Sequence, residues 1–156
     1  MIQKNIYLII LITVFASNLK AQDKGFGAGL VLGDPSGISS KYWVGEDYAL
    51  QLGVKWSWGG SLYDSKGMMI NADYVWHFTK FDFSQSKFPV YAGFGAQMRF
   101  NNEGDKNWFG IRVPVGITYQ FESAPVDIFF EVTPIFEFSS AKDYFIDAGI
   151  GAIYYF

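Results

Sequence analysis

A two-residue alternation runs through most of the chain beyond residue 22. In residues 48–58 one parity carries only large apolar or aromatic side chains, and the other carries small or polar ones. Residues 68–78 and 108–121 repeat the pattern. Because successive residues of a β-strand point to opposite faces, the alternation predicts strands with one apolar face and one polar face. Beyond residue 22 no segment keeps a helical period, so we expect an all-β chain.

Eight such segments follow one another, separated by residues that favour turns. They cover residues 24–33, 38–44, 48–58, 68–78, 88–100, 108–121, 126–138 and 144–156. Most are long enough to cross a bilayer as tilted strands, which takes about 9–11 residues. The second is shorter as drawn, and its ends could reach into Pro35–Gly37 and Glu46. The predicted fold is a single eight-stranded antiparallel up-and-down transmembrane β-barrel spanning residues 22–156, with its first and last strands paired.

A membrane barrel turns its apolar parity outward, and a soluble barrel turns it inward. The periodicity is the same in both and does not distinguish them. An eight-stranded barrel has an interior only wide enough to be filled by side chains. The apolar parity is crowded with aromatic residues, whereas the other is rich in glycine, so we expect the apolar parity to face outward. Aromatic residues also collect at the strand ends, as they do in the interfacial girdles of membrane barrels.

Both ends of the chain are typical of an exported barrel. Residues 1–21 have a basic start at Lys4, an apolar stretch over residues 6–15 and a plausible cleavage point after Ala21, so we expect a cleaved signal peptide. An uncleaved anchor is the alternative, although the apolar stretch is short for one. The last strand ends on Tyr154 and Phe156, which we expect to act as an assembly signal for the barrel assembly machinery. The predicted location is the bacterial outer membrane, in contact with its lipid and with both termini periplasmic.

Two prolines interrupt the predicted strands. Pro114 and Pro134 fall inside the sixth and seventh segments, where each removes a backbone donor from the sheet. If Phe121 pairs with Val126, the two prolines lie at one height on neighbouring strands. We therefore expect a local bulge or a missing hydrogen bond there.

The inward parity carries charged residues that must neutralise one another in a narrow lumen. The expected charge network consists of Lys41, Lys55, Asp73, Arg99, Arg112, Asp127, Glu131, Glu137 and Asp147. We expect Lys55 to lie diagonal to Asp73, and Arg99 and Arg112 to lie near each other with Glu131 as a partner across the lumen. A plug of ion pairs is the favoured interpretation; an ion path or solute site is the alternative.

Composition removes several classes of function. The chain has no cysteine, which excludes disulfides, thiolate metal sites and cysteine nucleophiles. Cleavage would remove two of the 12 basic residues (Lys4 and Lys20) and none of the 15 acidic ones, taking the formal charge from −3 to −5, which disfavours nucleic acid as a partner. No motif for a metal, cofactor or catalytic centre is evident. The single histidine, His77, could serve a lipid-modifying hydrolase with a serine, but no spacing fixes that serine, and we expect no enzyme.

Three stretches carry a resemblance. Two hairpins and the C-terminus resemble those of a family of short, largely uncharacterised bacterial outer-membrane barrel proteins. The stretches are Gly33–Trp43 for the first hairpin, Arg112–Val126 for the penultimate hairpin and Tyr154–Phe156 for the C-terminus. The resemblance covers essentially the mature chain and implies a barrel like the membrane domain of outer membrane protein A, without its peptidoglycan-binding domain. It implies no catalytic residues and no agreed activity.

Three functions are compatible with these sequence features. The favoured one is a structural or surface-interaction barrel with a plugged lumen, whose external ligand is unknown. The second is a binding or transport barrel for a small solute, which a gap near Pro114 and Pro134 would favour. The third is a lipid-modifying enzyme.

Overall fold

Nine strands occur in the part of the chain that the structure describes. The structure is a computed structural model that describes residues 25–58, 66–83, 86–101, 107–121, 123–138 and 144–156. The predicted signal peptide at 1–21 and most of the predicted loops at 59–67, 101–107 and 139–143 lie outside these residues. The strands are β1 Phe26–Asp34, β2 Ser36–Trp43, β3 Tyr48–Trp58, β4 Lys66–Phe83, β5 Ser86–Asn101, β6 Trp108–Arg112, β7 Val115–Phe121, β8 Val126–Glu137 and β9 Tyr144–Tyr155.

The strands close into an antiparallel ring in chain order. Each strand pairs with the next, β6 and β7 together fill one place between β5 and β8, and β9 pairs with β1. The closing register joins Ala28 to Tyr154 and Leu32 to Ile150. This confirms the eight-stranded up-and-down barrel. We call the end that carries Phe26 and Phe156 the termini end, and the opposite end, at Asp34–Ser36, the loop end.

The predicted sixth strand is divided at Val113 and Pro114, which explains the ninth element. The pairing of β6 and β7 with β8 keeps one register on both sides of the break, from Gly110 opposite Glu137 to Gln120 opposite Asp127. The irregularity is therefore a loss of ladder bonds without a bulge. Val113 N still donates to Pro134 O at 3.0 Å and Gly93 N to Pro114 O at 2.9 Å, so the wall stays joined at both prolines.

Strand lengths depart from the prediction at two hairpins. The turn predicted at 79–87 is wrong, because β4 continues to Phe83 and β5 begins at Ser86, with an irregular step between His77 and Thr79. Thr79, Phe81 and Phe83 are residue types that favour strands, which agrees with the longer β4. At the first hairpin β2 begins at Ser36, earlier than the predicted residue 38, while it ends at Trp43.

The exposure of the strands alternates with the parity expected for a barrel that is apolar on the outside. The β3 pattern runs strictly from exposed Tyr48 to exposed Trp58, with the small or polar residues between them buried. Among the described residues, more of the buried side chains are polar or charged than apolar. The apolar parity faces outward, as predicted from its bulk. No helix in the described part of the chain is long and apolar enough to cross a membrane.

Candidate functional site: the closed polar lumen

All nine charged residues expected in the lumen are buried. Their side chains come from every strand of the barrel except β1 and β7, and each is at most 8% exposed. They are Lys41 on β2, Lys55 on β3, Asp73 on β4, Arg99 on β5, Arg112 on β6, Asp127, Glu131 and Glu137 on β8, and Asp147 on β9. Alternation alone brings them inside, because each lies on the inward parity of its strand.

Arg112 forms the centre of this group. Its Nε lies 2.9 Å from Asp73 Oδ1, its Nη2 lies 3.2 Å from Glu131 Oε1, and its Nη1 lies 3.6 Å from Asp147 Oδ2. The guanidinium is fully buried. A planar cation with five donors suits several acceptors at once. Arg112 therefore joins β4, β8 and β9 across the lumen, and Glu131 is the partner that the sequence proposed for it.

Two uncharged residues complete the surroundings of Arg112. Gln97 Oε1 accepts a hydrogen bond of 2.6 Å from Arg112 Nη1. Thr133 Oγ1 lies 3.4 Å from Arg112 Nη2 and donates to Glu131 Oε1 at 3.0 Å. Neither residue was predicted, because neither carries a charge. Their signal was present, since both are polar residues on the inward parity of strands that pair with β6.

Two of the expected pairings inside the lumen differ in the structure. Gln51, and not Lys55, lies next to Asp73: the β3–β4 register sets Gln51 opposite Asp73 and Lys55 opposite Met69. The prediction that Lys55 lies diagonal to Asp73 is wrong by two residues. Trp58 pairs with Lys66 and not with Met68, so the loop between β3 and β4 is two residues shorter than predicted. Lys55 instead borders a small cavity of about 10 Å³ with Glu131, Thr133 and Asp147. That volume is on the order of what one water molecule needs.

Arg99 lies nearer the loop end than Arg112. The β5–β6 register sets Gly95 opposite Arg112 and Arg99 opposite Trp108, four residues further along β5. Four strand residues span about 13 Å, so the two arginines occupy different levels of the lumen. Glu137 lies opposite Gly110, which in turn lies opposite Gln97, so Glu137 is two residues from the row of Arg99.

A second polar cluster lies near the termini end. Lys41 Nζ lies 3.0 Å from His77 Nε2 and within about 5 Å of the Trp43 and Tyr91 ring centres, at 4.9 Å and 5.1 Å. Because an ammonium group only donates, His77 Nε2 must be the acceptor, which leaves the proton on Nδ1, 3.3 Å from Asp47 O. Tyr91 Oη then donates to Glu131 Oε2 at 2.8 Å and links this cluster to the Arg112 group.

Aromatic side chains fill the lumen around the polar groups, contrary to the expectation that the bulky residues face outward. Each of three inward rings lies opposite a glycine on the neighbouring strand: Tyr91 opposite Gly116, Phe129 opposite Gly151 and Tyr155 opposite Gly27. A Cβ on any of these glycines would collide with the ring it faces. The inward glycines thus make room for aromatic rings within the barrel.

Apolar clusters cover the polar groups on both sides. Towards the loop end, Trp108 stacks on Phe145 with ring centres 5.2 Å apart and planes 6° apart, beside Met69 and Ile135. A larger cluster, most of it towards the termini end, contains Val31, Trp43, Ala49, Val75, Tyr91, Phe129, Ile153 and Tyr155. Among the described residues, apolar clusters therefore lie on both sides of the Arg112 group, together with the polar residues already described. No group of three or more potential metal ligands occurs among the described residues.

Comparisons with known proteins agree with this architecture. A family model described as "Protein of unknown function (DUF3996)" matches residues 16–150. The N-terminal β-barrel domain of OprF from Pseudomonas aeruginosa is similar in structure, with a TM-score of 0.61 and 16% sequence identity over 84% of this chain and 96% of that one. Neisserial surface protein A (NspA) is similar with a TM-score of 0.51 and 16% identity over 84% of this chain and 94% of its own.

At this level of identity the two likenesses show the fold. Together with the family match they confirm the resemblance to an uncharacterised family of outer-membrane-barrel-like proteins. No match is found among curated proteins.

Proposed function

The chain belongs to the DUF3996 family of proteins of unknown function, and we propose that it is an integral outer-membrane barrel whose lumen is closed by its own side chains. Its role would then be structural or would depend on contacts made by its surface, since a closed lumen carries no solute. The single observation that supports this most strongly is the reversed polarity of the wall, with charge inside and apolar residues outside.

The outward face supports the membrane location. Among the described residues, the outward parity of the strands carries no Asp, Glu, Lys or Arg between the strand ends. The 11 residues of β3 alternate from exposed Tyr48 to exposed Trp58. At about 3.3 Å per residue and a tilt of about 40° they span roughly 25 Å, the height of the apolar band in outer-membrane barrels. Water would be a costly neighbour for so large an apolar surface.

The outward aromatic residues near the termini end support an interfacial girdle. Tyr48 stacks near Tyr74 and Trp76 at 5.8 Å and 6.4 Å, and Phe26 lies 6.4 Å from Phe156. Such rings suit the headgroup level of a bilayer. We propose that this end is periplasmic, with both termini there after removal of residues 1–21. Protein sequencing of the mature form should then begin at or near Gln22.

The C-terminal strand is proposed as the element that the barrel assembly machinery contacts. Phe156 also contributes to closure, since its backbone N–H donates to Phe26 O at 3.1 Å and its ring lies 5.2 Å from that of Tyr154. An assembly role predicts that Phe156→Ala slows insertion in cells but not refolding of the purified chain into detergent. If both slow equally, Phe156 acts through closure alone.

The closed lumen is tested by conductance in planar bilayers. The proposal predicts no steady conductance steps for the wild-type protein, because the described apolar clusters lie on both sides of the Arg112 group. Steady steps from the wild-type protein, lost on heat denaturation, would overturn the closed lumen and favour a transport barrel. Two observations count against the other candidates. The wall is joined at both prolines, so a gap for a solute is not seen there, and His77 Nε2 already contacts Lys41.

A further inference from the structure

Among the described residues, the outer wall carries a groove of about 640 Å³ whose lining comes mainly from β2–β5. Its floor is a row of short side chains that are neighbours in register across these strands: Ser40, Ala72 and Ala96. Leu52 lies in the same row, between Ser40 and Ala72. The row next to it, towards the termini end, carries the larger Tyr42, Tyr74 and Phe94. We name this concavity the wall groove.

The dimensions of the wall groove suit a single hydrocarbon chain. Ser40 and Ala96 are separated by three interstrand spacings, or roughly 14 Å. The row runs across strands that are tilted by about 35–45°, so a hydrocarbon chain lying in it would be inclined to the bilayer normal. The volume lies within the range of about 300–1,000 Å³ that small-molecule sites occupy. The lining is almost wholly apolar, which excludes a polar or charged ligand.

The shape of the wall groove favours a flexible chain over a second copy of the barrel. The wall of another barrel would rest on the projecting rings of Tyr42, Tyr74 and Phe94 and would leave the floor empty. An unfilled gap gives up the dispersion contacts of the atoms that line it. A flexible chain can bend past Leu52, which projects from the floor between Ser40 and Ala72, and contact floor and rim together.

We propose that the wall groove holds one acyl chain of a membrane phospholipid in a defined position. The proposal rests on the membrane location proposed above, since it is the bilayer that supplies the chain. It goes further by distinguishing one lipid, held by β2–β5, from the lipids that merely surround the barrel. The bound lipid belongs to the bilayer half nearer the termini end, because the aromatic row lies on that side of the floor.

The test is lipid retention. The wild-type protein and variants are reconstituted in vesicles of phosphatidylethanolamine and phosphatidylglycerol, released in detergent and weighed by native mass spectrometry. Ala96→Phe fills the floor of the groove, and Ala96→Leu fills it more mildly. Ala152→Phe makes the same change at an outward alanine on β9, outside the groove, and is the matched control.

The wild-type barrel and Ala152→Phe should each retain one phospholipid, and both Ala96 variants should retain it several-fold less. Every protein should insert and show a folded band on unheated gels. Equal lipid retention by the wild type and all three variants, or no retention by the wild type, would then overturn the proposal that the wall groove binds a lipid. A dimer mass that Ala96→Phe abolishes would overturn it in favour of a second copy. If the wild-type chain does not insert at all, the membrane location itself fails and the groove falls with it.

Discussion

Arg112 is the cation that ties the interior of the barrel together. It contacts Asp73, Glu131 and Asp147 from three different strands and is fully buried. The sequence allowed its burial and its contact with Glu131 to be predicted, because parity fixes the face and only a few acids share it. It did not allow Asp73 and Gln97 to be assigned, since those contacts depend on the register of two hairpins whose loop lengths set it.

Replacing Arg112 by Leu should strongly destabilise the barrel. The change leaves three buried carboxylates without their cation, and breaking a buried ion pair from one side costs on the order of 3–5 kcal/mol. Urea unfolding in phospholipid vesicles measures the loss. Adding Glu131→Gln to Arg112→Leu should recover part of it, because one unpaired charge is removed.

Lys66→Leu is the matched control for this experiment. Lys66 is also a strand cation, but it is exposed at the loop end. Surface changes of this kind usually stay within about 0.5 kcal/mol. An Arg112→Leu protein as stable as Lys66→Leu would show that the central ion pairs contribute nothing.

Gly116 tests how tightly the lumen is filled. A Cβ at this position would collide with the Tyr91 ring, whereas a Cβ on Gly45 would meet Tyr48 Cδ2 at an ordinary 3.7 Å. Gly116→Ala should therefore cost about 1–3 kcal/mol by overpacking, and Gly45→Ala should cost little. Combining Gly116→Ala with Tyr91→Leu should relieve part of the strain, as read from urea midpoints. Equal stability of the two glycine variants would mean that the lumen has spare room.

At the scale of elements, the two prolines show what a sequence can and cannot specify. The two prolines, with Phe121 paired to Val126, predicted an irregular backbone where they lie side by side on neighbouring strands. The structure has a break there, at Val113–Pro114. Whether the result is a bulge or a missing bond depends on how the neighbouring strands adjust, which a single chain's pattern does not contain. The extended β4–β5 hairpin was missed for a different reason: the register shifts between His77 and Thr79, so the alternation of β4 does not continue in phase across this step.

Pro114→Val should join β6 and β7 into one strand. Valine supplies the N–H that proline lacks, and the Gly93 carbonyl is the acceptor opposite it in register. The gain should be about 0.5–1.5 kcal/mol, the usual net value of one hydrogen bond. Hydrogen exchange should show added protection at residues 113–115. Pro125→Val, in the exposed turn before β8, is the control and should show none; equal changes in both would exclude this explanation.

At the scale of the whole molecule, polarity is the property that organises the barrel. The alternation alone left two barrels possible, apolar inside or apolar outside, and the bulk of the aromatic parity favoured the second. The structure has that arrangement, but it also contains inward Trp43, Tyr91 and Trp108. The bulky parity faces outward as predicted, but some single aromatic residues face inward. Inward glycines make room for them, and the number of aromatic residues on a parity does not show this.

A charge on the outer wall distinguishes lipid from water as its surroundings. Ile150 is 54% exposed near the middle of β9, and Trp58 is 77% exposed at the loop end of β3. In a bilayer, Ile150→Arg should cost about 2–4 kcal/mol and Trp58→Arg about 0–1 kcal/mol. In a water-soluble barrel, both would be nearly neutral surface changes. Urea unfolding in vesicles gives the two values, and a neutral Ile150→Arg would contradict a lipid-facing wall.

The central claim is that the chain forms a closed barrel in an outer membrane, and gel mobility of that membrane fraction tests it most directly. Envelopes are separated by density, and the outer-membrane fraction is run on a denaturing gel with and without boiling. A closed barrel resists detergent because every strand is paired, so we predict the protein in this fraction with a faster band in the unboiled sample. A single unshifted band, with the protein recovered in the soluble periplasmic fraction, would contradict the claim.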